Sequence, residues 1–131
     1  MNFLVDTHVL IWSLFEPSKL SPQARKILKD PTYTWKVSTL TFIEIALKYS
    51  KGKLDLQGVR PDDLPGFATK AGFLLMDITP LDVAGFWKLP LHNTDPFDRL
   101  LVWQTIQRNL TLISKDSSLE VYKSNGLNLV W

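Results

Sequence analysis

Asn93-Thr94-Asp95-Pro96-Phe97-Asp98-Arg99-Leu100-Leu101 is the stretch from which the rest of the chain can be read. It starts a helix: Asp95 suits the N-cap, Pro96 the first helical position, and Asp98 the first turn, near the positive end of the helix dipole. Three residues separate the two acids, so both carboxylates leave one side of that turn. Capping alone accounts for Asp95. Asp98 is different, because Leu101 and Val102 follow it at helical spacing and its side chain leaves the helix within an apolar sector. A carboxylate placed there needs a cation, a metal or several donors, since burying it unpaired is costly.

Upstream of that stretch, Phe3-Leu4-Val5 reads as a buried strand with Asp6 at its carboxyl end, followed by a helix over 8–15 that Pro17 closes. Ser21-Pro22 opens a second helix through Ala24, Ile27 and Leu28. Trp35-Lys36-Val37-Ser38 is a second strand. A helix follows from Thr39 to about Lys51, with Phe42, Ile43, Ala46 and Tyr49 at helical spacing and Gly52 as its stop. Residues 52–65 read as a turn-rich connection, and a weak helix then runs to about Ala71. Phe73-Leu74-Leu75-Met76 is expected to be a third buried strand, and Thr79-Pro80 begins a helix through Val83 and Phe86. Downstream, the helix that opens at Asp95 ends near Arg108. Leu110-Thr111-Leu112-Ile113 is a fourth strand with Ser114-Lys115-Asp116 at its end, a short helix passes through Leu119 and Tyr122, and Leu127-Asn128-Leu129-Val130 is a final strand.

Apolar strands alternating with helices define an α/β domain with a mainly parallel sheet of four to five strands, expected as one unit over residues 1–131. Ligand sites in such sheets lie beyond the carboxyl ends of the strands, at a switch point. Asp6, Glu44 and Asp116 each fall just after a strand, and Asp98 opens the helix that feeds one. Four acids are therefore expected on one rim.

Composition narrows the chemistry. The 131 residues are 45% hydrophobic and 21% charged, enough for a real core. The absence of cysteine excludes disulfides, thiolate metal sites and a cysteine nucleophile, and suits a reducing, cytoplasmic setting. No signal peptide or membrane-length apolar run is present. Setting the four acids apart leaves nine against 15 Lys and Arg, a remainder of about +6 that tolerates a polyanionic partner. Neither a GxxxxGK[ST] loop nor a GxGxxG turn occurs, and Asp6-Thr7-His8 stands where the latter would begin. No GxSxG elbow exists. Two histidines, His8 and His92, are too few for an ordinary zinc site without thiolates.

What remains is oxygen-only ligation. Asp6, Glu44, Asp98 and Asp116 crowded together would repel one another or protonate unless a hard cation neutralised them. Carboxylates and water suit Mg²⁺ or Mn²⁺, and such a site can activate water against a phosphodiester. The basic remainder of the surface favours nucleic acid over a small phosphate. Each acid also has a local explanation as a cap or turn, and Glu44 has Lys48 four residues on for a surface ion pair. Two other readings compete. A haloacid-dehalogenase-like phosphatase needs a second Asp where His8 stands, and a non-catalytic interaction module would use the acids only as caps. Lys48, Lys51 and Lys53 are placed to guide RNA or to offset a helix dipole; the five tryptophans could include a base-stacking platform, but most are expected in the core or an interface.

Taken together, Phe3-Leu4-Val5-Asp6-Thr7-His8, the helix carrying Glu44-Ile45-Ala46…Lys48…Gly52-Lys53-Leu54, Asp95-Pro96-Phe97-Asp98-Arg99-Leu100-Leu101 and Leu112-Ile113-Ser114-Lys115-Asp116 resemble the PIN-domain nucleases. Within them the match is to the VapC-like toxins of type II toxin–antitoxin systems. The resemblance covers almost the whole chain. It implies an α/β/α sandwich and a Mg²⁺- or Mn²⁺-dependent endoribonuclease acting on single-stranded RNA, with Asp6, Glu44, Asp98 and Asp116 as the metal-binding and catalytic acids. Asp95, Thr7 and Ser114 are accessory candidates. It also implies a homodimer held inactive by a small antitoxin that covers the site. One departure stands out: many relatives carry His-Arg where this chain has Asn93-Thr94.

Overall fold

The computed structural model describes all 131 residues. Five strands form one parallel sheet: β1 (Asn2–Val5), β2 (Thr34–Ser38), β3 (Leu74–Met76), β4 (Thr111–Ile113) and β5 (Asn128–Val130), in the order β3-β2-β1-β4-β5. The helices between them are α1 (Thr7–Phe15), α2 (Pro22–Ile27), α3 (Thr39–Ser50), α4 (Leu64–Lys70), α5 (Pro80–Gly85) and α6 (Pro96–Gln107). The link from β4 to β5, over Ser117–Asn125, is wound as 3₁₀ helix rather than α.

This order follows from a sheet built outward from β1. The chain steps one way through β2 and β3, then returns to place β4 on the other flank of β1. With right-handed crossovers, that reversal puts the two sets of helices on opposite faces. The cores agree. Alternate residues of β1 enter different layers: Phe3 and Val5 pack with Val9, Leu10, Val37 and Ile45, whereas Leu4 packs with Leu101, Val102, Leu112 and Tyr122. Period-two alternation into two apolar layers is what a sheet covered on both faces requires.

One strand departs from expectation. Residues 73–76 are not a wholly buried strand, because β3 lies at the sheet edge and Leu74 and Leu75 are 55% and 44% exposed. Only Phe73 and Met76 reach the core. A short apolar run looks the same in sequence whether one face or both are covered.

Helix α3 stands at the carboxyl rim. Its Leu40 belongs to one apolar layer and its Ile45 to the other, so the helix straddles the sheet end and carries Glu44 with it. A buried polar network secures this arrangement against α6. Ser38 donates to Gln104 at 2.6 Å, Gln104 donates to Asp82 at 3.2 Å, and Arg108 grips both oxygens of Asp82 at 3.0 and 2.6 Å. Burial alone would raise the Asp82 carboxyl, but the Arg108 bonds, the Thr79 N–H and Gln104 outweigh it and hold it at about 2. Asp82 also completes a capping box with Thr79 at the start of α5. No local pattern signals this network, since its members are scattered along the chain.

Candidate active site

The rim between β1 and β4 is the switch point of this sheet, and the acids gather there. Asp6 leaves β1, caps α1 and accepts the Val9 N–H at 2.8 Å. Its second oxygen accepts the Ser114 hydroxyl from the end of β4. The Asp6 N–H donates to the Ile113 carbonyl at 3.2 Å, so the two strand ends are stitched beside the site. Burial pushes the Asp6 carboxyl up, against the Ser114 and Val9 bonds that favour its charged form; His8 lowers it further, while the Glu44 charge raises it.

Glu44 is held from two sides. Thr7 donates to its Oε1 at 2.5 Å, and Lys48 pairs with its Oε2 at 2.8 Å. The ion pair expected from the i, i+4 spacing is therefore present, and it lies in the wall of the site: Glu44 and Lys48 line the same cavity.

Asp95 caps α6 with Pro96 at the first position, accepting the Phe97 and Asp98 N–H groups at 2.8 and 3.4 Å. Asp98 is half-buried and accepts one long bond, from the Asn93 side chain at 3.2 Å. Burial first, then the charge of Asp95, push it up to about 6 against the Asn93 bond, with Asp116 and Glu44 adding to the rise. Asn93 thus has a part that the sequence left open: its oxygen accepts the Asp95 N–H at 2.7 Å while its nitrogen serves Asp98. An Asx turn two residues before the cap is the signal from which this was readable.

Asp116 is exposed and caps the 3₁₀ helix, accepting the Ser118 N–H and hydroxyl at 3.0 and 2.6 Å. Its own N–H donates to Ser114 at 3.1 Å. Asp6, Glu44, Asp95 and Asp116 thus each keep a bond within their own segment, yet all four and Asp98 line one cavity of about 180 Å³. Thr7 lines it too, whereas Ser114 reaches it only through Asp6 and Asp116. None of the five tryptophans borders it; Trp87 is 73% exposed elsewhere.

The residues fit a hard divalent cation in chemistry. The donors are all oxygens, burial and then the neighbouring carboxylates raise Asp98, and the buried Thr41 hydroxyl in the cavity wall has no hydrogen-bond partner. As the side chains stand, no group of three His, Asp or Glu is arranged to hold a metal ion. Their oxygens are instead engaged by Val9, Ser114, Thr7, Lys48, Asn93 and Ser118.

A parallel sheet wound in both directions, with carboxylates collected at its switch point, defines the class: an α/β domain with an acidic, oxygen-donor site. The family follows from sequence. The model of the PIN domain matches residues 3–124, and the chain belongs to that family. No curated protein matches it by sequence. Among solved structures it is similar to VapBC2 from Rickettsia felis bound to a DNA fragment from their promoter, at 14% identity and a TM-score of 0.69, covering 99% of this chain and 98% of that one. It is also similar to VapBC-1 from nontypeable Haemophilus influenzae, at 15% identity and a TM-score of 0.63, over 99% and 97% of the two chains. A toxin–antitoxin complex from Klebsiella pneumoniae matches at 15% identity and a TM-score of 0.59, over 98% and 95%. At these identities the likeness is one of fold.

Proposed function

We propose that the chain is a Mg²⁺- or Mn²⁺-dependent endoribonuclease that hydrolyses single-stranded RNA, and that it serves as the toxin of a toxin–antitoxin pair. The observation that carries the catalytic part is the convergence of Asp6, Glu44, Asp98 and Asp116, drawn from four separate parts of the chain, on one cavity. A divalent cation bound there supplies charge stabilisation for phosphodiester hydrolysis and an acidified water. The protein's own contribution is orientation. Ser114 and the Val9 N–H aim the two oxygens of Asp6, while Thr7 and Lys48 hold those of Glu44. Asp6 and Asp98, both raised by burial first, are the carboxylates that a cation would favour in their charged form.

The decisive test is cleavage of a fluorescent single-stranded oligoribonucleotide by the purified chain. Activity should require Mg²⁺ or Mn²⁺, vanish in chelator, and be lost in Asp98→Asn; cleavage that survives both defeats the assignment. The toxin role is supported by the likeness to a solved toxin–antitoxin complex, and it predicts a small partner protein whose co-expression abolishes cleavage. A homodimer is supported by the apolar side chains left exposed along edge strand β3 and on and after α5, namely Leu74, Leu75, Leu81, Trp87 and Leu91. Light scattering of the purified chain tests it.

A further inference from the structure

A second depression adjoins the acidic cavity and is different in character. It measures about 400 Å³ and shares Glu44, Lys48, Asp95 and Phe97 with the first, so the two are continuous. Its other walls include Leu47, Lys51, Lys53 and Thr94. Three ammonium groups therefore line one groove beside two carboxylates. Lys48 is committed to Glu44, whereas Lys51 and Lys53 are exposed and belong to no ion pair in the structure.

The local fold explains how they come together. Helix α3 ends at Ser50 with Lys51 as its C-cap, and Gly52 follows with a φ of 69°, in the left-handed region that glycine tolerates. The Gly52 N–H returns to the Tyr49 carbonyl at 3.0 Å and the Lys53 N–H to the Lys48 carbonyl at 2.9 Å. This reversal brings Lys53 back over the last turn of the helix. A cation near a helix end has some explanation in the dipole, but Lys53 lies beyond the helix, and the groove it faces also holds apolar groups: exposed Leu47 and the half-buried ring of Phe97.

Unpaired cations beside an aromatic ring and an aliphatic wall match an unpaired nucleotide strand, whose phosphates seek charge and whose bases have free faces to stack. A duplex keeps its bases covered and would leave Phe97 unused. We infer that this groove is a binding subsite for the single-stranded nucleic acid flanking the scissile bond, with Lys51 and Lys53 on neighbouring phosphates and Phe97 as the stacking surface for a base. The choice of RNA as the strand rests on the nuclease reading above; the groove itself does not.

The test is binding of a fluorescent single-stranded oligoribonucleotide to the full chain in chelator, followed by anisotropy over a series of salt concentrations. Lys51→Gln/Lys53→Gln should weaken binding by about tenfold or more and make the logarithmic salt dependence shallower by about 1.4, the value for two phosphate contacts on a single strand. Lys51→Arg/Lys53→Arg should keep both. Phe97→Leu should weaken binding while leaving the salt dependence as in wild type. Lys26→Gln/Lys29→Gln, which changes charge equally at the end of α2 and just beyond it, away from the groove, should alter neither quantity. Equal effects of the two glutamine pairs would overturn the subsite, as would displacement by poly-glutamate together with indifference to Phe97→Leu, which marks an acidic protein partner instead. Metal-dependent cleavage that is indifferent to Lys51→Gln/Lys53→Gln overturns the groove and leaves the nuclease standing. Groove-dependent binding with no cleavage under any metal does the reverse.

Discussion

Replacing Asp98 with Asn should make the metal-free protein more stable while removing its response to metal. The wild-type carboxyl is raised from 3.8 to about 6, by burial first and then by Asp95 and the other acids of the cavity. At roughly 1.4 kcal/mol per pH unit, that corresponds to a ceiling of about 3 kcal/mol, and partial exposure of the side chain reduces it to about 1.5 kcal/mol. The sign follows from linkage. The folded state takes up its proton near pH 6 and the unfolded chain only near 3.8, so stability falls as pH rises between those values and the cost is complete above the higher one. Asn has no charge to bury, and its amide oxygen can still accept the Asn93 bond seen at 3.2 Å. For a chain of this length, 1.5 kcal/mol is a rise in Tm of about 5 °C. Calorimetry at about pH 8 should therefore show Asp98→Asn melting above wild type, with the gap closing at about pH 4. Adding millimolar Mn²⁺ should raise the wild-type Tm by mass action and leave the variant nearly unmoved. A variant less stable than wild type at high pH would refute the electrostatic reasoning, and one that responds equally to Mn²⁺ would refute the ligand assignment.

Other expectations concern the frame around the site. Arg108→Met strands Asp82, whose side chain is 8% exposed, and should cost about 3 kcal/mol, or roughly 10 °C in Tm. Because Asp82 is held at about 2 when folded, its contribution is complete above about pH 4 and fades as pH falls towards 2, so the gap between wild type and Arg108→Met should narrow over that window. Thr7→Val keeps the shape of a buried side chain but removes the hydroxyl that holds Glu44, and chemical denaturation should show a loss of about 1–2 kcal/mol. Its cleavage rate should fall as well, whereas Ser13→Ala, which lacks only a bond to the Leu10 carbonyl on α1, should cleave normally.

Much of the architecture was legible in the chain because its signals are local. Proline at the first helical turn, helix starts at Ser21, Thr79 and Asp95, and short apolar runs located helices and strands, since each depends on neighbours within a few residues. The placing of Asp6 and Asp116 at strand ends, and hence on one rim, followed from the winding rules of parallel sheets. Other features are long-range by nature. Asp82, Gln104, Arg108 and Ser38 meet only because α5 and α6 pack beside the end of β2. The Thr7 bond to Glu44 spans 37 residues and that of Ser114 to Asp6 spans 108. The exposure of Leu74 and Leu75 is set by strand order, which no property of β3 encodes. What the sequence settled was which segments fold and which residue types stand at their ends; which carboxylates share a cavity, and what each is bonded to while it waits there, was decided by packing, because electrostatic and hydrogen-bond partners are chosen by distance in space and not by distance along the chain.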